Sequence, residues 1–117
     1  MSTKAVVTGG AGFIGSHLVD ELVQHGYDVH VIDDLSGGLK VNVNPKATLH
    51  VADIRDFDVI SRIIKGANYI FHEAALPRVQ YSIEHPEETH SVNVNGTLNV
   101  LMAAAQESWL RARFKIV

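Results

Sequence analysis

Thr8-Gly9-Gly10-Ala11-Gly12-Phe13-Ile14-Gly15 is the stretch that decides how this chain folds. It follows a short apolar run, Ala5-Val6-Val7, and it opens an amphipathic helical pattern. The glycines at 9, 12 and 15 have separate tasks. Gly9 turns the chain sharply off a strand. Gly12 lacks a Cβ, so backbone N–H groups can approach a phosphate. Gly15 lets the new helix pack tightly on a sheet. The start of that helix offers free N–H groups and a partial positive charge to an anion. A glycine-rich turn alone would say little. This one lies between strand and helix, and an acidic residue, Asp33, ends the next strand.

Moving outward, the first helix is expected from Gly12 to His25. Ile14, Leu18 and Leu22, with Val19 and Val23, form its apolar stripe, and Gly26 stops it. Asp28 to Asp33 reads as a second buried strand. In a doubly wound sheet Asp33 would lie beside the ribose of an adenosine. Its carboxylate would accept hydrogen bonds from the 2′- and 3′-hydroxyls and repel a 2′-phosphate, which favours NAD over NADP. The competing reading is a turn cap, because Asp33-Asp34-Leu35-Ser36-Gly37-Gly38 also looks like a loop. Asp34 serves either the nucleotide or only the turn.

Thr48 to Ala52 is the third expected strand. Asp53 falls at its C-terminal end, where open α/β sheets bind ligands. It could accept a hydrogen bond from an adenine amino group, with Ile54 covering the ring. Its alternative is a helix N-cap, for which Asp56 is better placed. Phe57, Ile60, Ile63 and Ile64 make the buried face of a second helix ended by Gly66. Tyr69 to His72 is the fourth strand. The small residues Ala74 and Ala75 after it either admit a flat group or pyrophosphate or simply make a turn. Arg78 to His85 reads as a loop or short helical turn.

Pro86, Glu87 and Glu88 suit the start of a long helix running to about Gln106. Val92, Gly96, Val100 and Ala103 lie near one face, and Leu98, Leu101, Met102 and Ala105 cover much of the rest. Apolar surface this wide suggests burial on two sides. Asn93 either reaches a cofactor or is a core asparagine bonded to backbone. Phe114-Lys115-Ile116-Val117 begins a fifth strand.

Composition excludes several classes. The 117 residues suffice for one small domain, and 46% hydrophobic with 20% charged residues is ordinary for a globular protein. A net charge of −3 gives no basic field for nucleic acid or anionic lipid. Without cysteine there is neither a disulfide framework nor thiolate chemistry. No apolar run approaches the roughly 18 residues of a membrane span. The first strand begins almost at Met1, leaving no room for a signal peptide, so a cytoplasmic location is expected. Seven histidines do not cluster and read as surface or packing residues, with no metal site.

Together, Thr8–Leu18, Ile32-Asp33-Asp34-Leu35-Ser36, Ala52-Asp53-Ile54-Arg55-Asp56, Phe71-His72-Glu73-Ala74-Ala75 and Asn93–Val100 resemble the NAD-dependent epimerase/dehydratase family. These are the extended short-chain dehydrogenase/reductases. The nearest branch is the nucleotide-sugar epimerases acting on UDP-glucose. The resemblance implies that Gly9, Gly12, Phe13, Ile14 and Gly15 hold the pyrophosphate of NAD. It implies that Asp33 binds the adenosine ribose, with Ser36 and Gly37 in the loop around it, and that Asp53 and Ile54 contact adenine. Ala74, Ala75 and Leu76 would lie along the cofactor, and Asn93 would touch it from the long helix. Some relatives carry a lysine where Pro77 stands, so no role passes to that position.

The same resemblance implies what else the chemistry needs. The family uses a serine or threonine after the fifth strand and a Tyr-x-x-x-Lys pair on the next helix. Here Tyr27, Tyr69 and Tyr81 are followed four places on by Val31, Glu73 and His85, so no catalytic pair exists. The expectation is therefore α/β: an incomplete Rossmann-type, doubly wound parallel sheet of order 3-2-1-4-5 in three αβα layers. Residues 1–117 would form one NAD-binding domain cut within its fifth strand, without catalytic helix or sugar domain. It would be inactive alone and meet a UDP-sugar only in a complete enzyme. A homodimer through the 86–106 helix is possible. Competing readings are a non-catalytic NAD-binding or partner-docking module and a nucleotide-sugar dehydratase, decarboxylase or reductase of the same family.

Overall fold

The computed structural model describes residues 3–74, 79–107 and 113–116. Five parallel strands form one sheet: β1 (Lys4–Thr8), β2 (Asp28–Asp33), β3 (Thr48–Val51), β4 (Tyr69–His72) and β5 (Arg113–Ile116). Their order is β3-β2-β1-β4-β5, as the sequence led us to expect. β1 lies at the centre, and Ala5, Val6, Val7 and Thr8 have no exposed surface. Such a strand, covered on both faces, has no polar face to alternate with.

Residues alternate between two cores because successive side chains leave a strand on opposite faces. On one face Ala5, Val7, Val29 and Val31 pack against Val19 and Leu22 of α1 (Phe13–Gln24). On the other, Val6, Ile32 and Ile70 pack with Ile60 and Ile64 of α2 (Phe57–Ile64) and with Val100 and Ala103. These are the three expected layers. Gly26 and Gly66 each follow the C-cap residue of α1 and α2, and both have left-handed backbones, φ +84° and +81°. Asp56 caps α2, its carboxylate accepting from the Val59 amide at 3.5 Å.

Three expectations need correction. Ile14 is 63% exposed and does not belong to the apolar stripe of α1. The buried positions are Gly15, Ser16, Val19 and Leu22, and Ile14, in the first turn, lies to one side of them. The third strand ends at Val51 rather than Ala52. The long helix is not uniform. α3 (Val79–Glu84) precedes α4 (Pro86–His90), then a π-helical segment Ser91–Gly96 leads into α5 (Thr97–Gln106). Dihedrals stay helical through the junctions, so 86–106 is continuous with a wider turn inside it. Gly96 is buried against Ile54, and a Cβ there would stand 2.5 Å from the Ile54 Cδ1 atom. Val100 and Ala103 face the sheet, whereas Leu98, Leu101 and Met102 are 51%, 42% and 42% exposed, so among the described residues the outer side of this helix has no cover.

Candidate functional site

The strand ends and the start of α1 meet at one edge of the sheet. Gly9 leaves β1 with φ +74°, its amide donating to the Ile32 carbonyl at 2.7 Å. A Cβ on it would stand 2.8 Å from the Ala74 amide nitrogen, so only glycine brings this turn against the end of β4. A Cβ on Gly15 would run into the Gly9 carbonyl. Gly15 thus serves the fit of α1 against the loop's own first turn, rather than the helix–sheet contact expected for it. Gly12 is different. Its φ of −80° suits any residue, and a Cβ there would meet only the Gly9 oxygen, at an ordinary 3.4 Å. The protein's own packing gives no reason for glycine at this position.

Gly12 is the N-cap of α1, with no side-chain cap and no acidic residue in the first turn. Phe13 is 81% exposed beside it. No side chain caps this helix end, so its first-turn backbone N–H groups are available to a ligand.

Asp33 is buried and fixed. One carboxylate oxygen accepts from the Ala11 amide at 2.9 Å and the other from the Leu35 amide at 2.7 Å. Leu35 adopts φ +65°, a left-handed conformation uncommon outside glycine and asparagine. The Leu39 amide and the Asn42 side chain donate to the Ala11 carbonyl at 3.2 and 3.4 Å. The loop after β2 is thus latched to the glycine loop through Ala11. Asp34 accepts from the Ser36 amide and hydroxyl at 2.9 and 2.7 Å, the turn-stabilising role. Gly37 is exposed in the same loop.

At the end of β3, Asp53 is held in a fork by Arg55, with contacts of 2.6 to 3.0 Å to both oxygens. Those hydrogen bonds hold its carboxyl below the usual aspartate range. Ile54 is only 4% exposed and belongs to the core, so little of its side chain remains to cover a ring. A groove of about 500 Å³ lined by Lys4, His30, His50 and Arg62 touches this strand end only through Val51 and Ala52. It contains no residue of the glycine loop and is not the site developed here.

The end of β4 carries an arrangement that the sequence reading missed. Thr8 and His72 are register partners in adjacent strands, and their side chains meet at 2.6 Å through Nδ1. The other ring nitrogen, Nε2, is 2.7 Å from the Thr97 hydroxyl, which donates to the Asn93 carbonyl at 2.7 Å. Thr8 Oγ1 also accepts from the Glu73 and Ala74 amides, each at 3.1 Å. His72 is 5% exposed, and burial lowers its pKa. It is neither a surface histidine nor mere packing. The available signal was positional: Thr8 and His72 each end a strand, and the strand order makes those strands neighbours. Asn93 is half-buried in the π-helical segment. Ala75 and Leu76 lie outside the described residues. Among the described residues no group of three or more metal-ligating side chains occurs.

The NAD dependent epimerase/dehydratase family matches residues 5–114. The chain belongs to this family. A UDP-glucose 4-epimerase of Lactobacillus helveticus is 40% identical over 102 residues, 86% of this chain and 31% of the relative. UDP-glucuronic acid decarboxylase 1 of Arabidopsis thaliana is 42% identical over 103 residues, 84% of this chain and 22% of the relative. Among solved structures, the Thermus thermophilus UDP-glucose 4-epimerase complex with NAD is similar at 37% identity and a TM-score of 0.82. That match covers 89% of this chain and 34% of the structure. The chain thus spans about a third or less of the length of these family members.

Proposed function

We propose that this chain binds NAD and forms the cofactor-binding part of a nucleotide-sugar epimerase. The observation that carries the reading is Gly12. Space that a Cβ could fill is left open directly over an uncapped helix start, which is what a pyrophosphate would require. Family membership and the NAD in a similar epimerase structure support the same choice.

In this reading the Phe13 and Ile14 amides take the pyrophosphate over Gly12, whose own amide donates to the Gly9 carbonyl at 3.1 Å, with Gly9 and Gly15 shaping the turn. Asp33 still has lone pairs for the ribose hydroxyls after accepting two backbone bonds, since each carboxylate oxygen accepts more than one. The Ala11 and Leu35 amides keep it oriented, and its charge opposes a 2′-phosphate. Ser36 and Gly37 flank the ribose. Asp53 reaches adenine only by sharing oxygens with Arg55, and Ile54 contributes backbone more than side chain. Ala74 lines the cofactor, and Asn93 approaches from the long helix. When bound, NAD would supply a transient acceptor for the sugar's hydride. This chain's residues bind and orient, and the proton-transferring groups lie outside it, so the chain alone is expected to turn over no UDP-sugar.

A UDP-sugar decarboxylase is the second reading, because the decarboxylase relative is as similar as the epimerase. The exposed Leu98, Leu101 and Met102 support a homodimer through 86–106. Among the described residues no helix is long and apolar enough to cross a membrane, and we place the protein in the cytoplasm. Calorimetric titration with NAD and with NADP tests the proposal. Binding of NAD in preference to NADP is expected. A cooperatively melting chain that binds neither would overturn it.

A further inference from the structure

We infer that His72, as its Nε2–H tautomer, is a positioning residue for the cofactor cleft. It ties the backbone at Glu73-Ala74, through Thr8, to the π-helical segment carrying Asn93, through Thr97. Its purpose rests on the cofactor reading above, whereas its geometry does not.

The proton order follows from the Thr97 end. A carbonyl can only accept, so the Thr97 hydroxyl proton is committed to the Asn93 oxygen. The Thr97 oxygen then faces His72 Nε2 as an acceptor, and Nε2 must carry hydrogen. At the other end, Thr8 Oγ1 accepts from the Ala74 amide at 3.1 Å and shares the Glu73 amide with the Thr8 backbone carbonyl. Its own proton then faces His72 Nδ1, the bare nitrogen of the Nε2–H tautomer. The Thr97 end sets this neutral tautomer, and the Thr8 end fits it.

Two parts of the cleft hang from this relay. The Ala74 amide is the group that packs against Gly9, so Thr8 holds the end of β4 at the turn that opens the glycine loop. Thr97 follows directly on the π-helical segment that carries Asn93. The Thr97 hydroxyl donates to the Asn93 carbonyl, and His72 Nε2 holds that hydroxyl from the other side.

The test uses imidazole ¹⁵N spectra and NAD titration of the chain, with His72→Phe to assign the His72 signal. The expected spectrum is a single Nε2–H tautomer. Thr97→Val should bind NAD about tenfold more weakly, whereas Thr97→Ser, which keeps the hydroxyl, should stay within about twofold of the parent. An Nδ1–H tautomer in the parent overturns the proton order. A Thr97→Val chain that melts lower yet binds NAD normally overturns the positioning role, leaving the relay merely structural. If Thr97→Val does not fold, the spectrum and affinity of Thr97→Ser decide, and a changed tautomer or lost binding there overturns the inference. A parent with the ordered imidazole that binds no NAD overturns the cofactor reading and the positioning role, but not the proton order.

Discussion

Asp33 and Ala11 are joined by a hydrogen bond of 2.9 Å that fastens the end of β2 to the glycine loop. The same carboxylate holds Leu35 in its left-handed turn at 2.7 Å. Asp33 therefore shapes the loop before any nucleotide arrives. Asp33→Ala should lower stability by about 2–3 kcal/mol, because two amides lose a charged acceptor. Asp33→Asn keeps one acceptor and removes the charge. It should cost less stability and narrow the preference for NAD over NADP. Chemical denaturation and paired titrations read both effects.

Gly12 and Gly15 should separate binding from folding. Gly15→Ala places a methyl on the Gly9 carbonyl and should destabilise the chain by about 1–3 kcal/mol, the usual range for overpacking. Gly12→Ala meets no such obstacle and should shift stability by less than about 1 kcal/mol. It should nevertheless weaken NAD binding more than tenfold. Equal loss of stability in the two variants would contradict this division.

Stability should fall on mild acidification. Burial lowers the pKa of His72 from the ordinary value of 6.5, and burial followed by the charges of His30 and Lys4 lowers that of His50. The unfolded chain then binds more protons than the folded one between the two values. These groups' contribution is complete above pH 6.5 and is lost as pH falls through the folded values. Melting curves from pH 8 to pH 5 should show it, and His50→Gln should remove only part of the slope.

Glu73 has the opposite sign. One of its carboxylate oxygens is buried without a partner, and burial raises its pKa above 4.5. Its uncharged form suits the fold, so the folding advantage is present below pH 4.5 and is lost as pH rises through the folded value. Glu73→Gln keeps the shape without the charge. It should melt higher than the parent at pH 7.5 and with it near pH 4. A lower melting point for the variant at pH 7.5 would show that the ionised group is stabilising.

The sheet was legible in the sequence because each buried strand is a short run rich in apolar residues that stops at glycine or an acidic residue. Asp28–Asp33 and Tyr69–His72 have the bounds expected of them. The glycine loop and Asp33 were legible for the same reason: their spacing ties them to a strand end. The π-helical segment was not, because the apolar period of 92, 96, 100 and 103 reads as one regular helix. The Thr8–His72–Thr97 relay was hidden because its members come from three elements and meet only through strand register. The Arg55 fork was overlooked because an exposed arginine two residues from an aspartate has many other places to go.

The central place of β1 also has a consequence in time. β1 pairs with β2 on one side and with β4 on the other, and Thr8 must wait for His72. At about 5–20 residues per second of synthesis, the second edge of β1 stays unpaired for about 3–12 s after β1 is made. Throughout that interval the most apolar strand of the molecule offers a free edge to any neighbouring chain. A nascent chain arrested before Tyr69 should therefore be held by chaperones that release one arrested after the β4 strand has emerged.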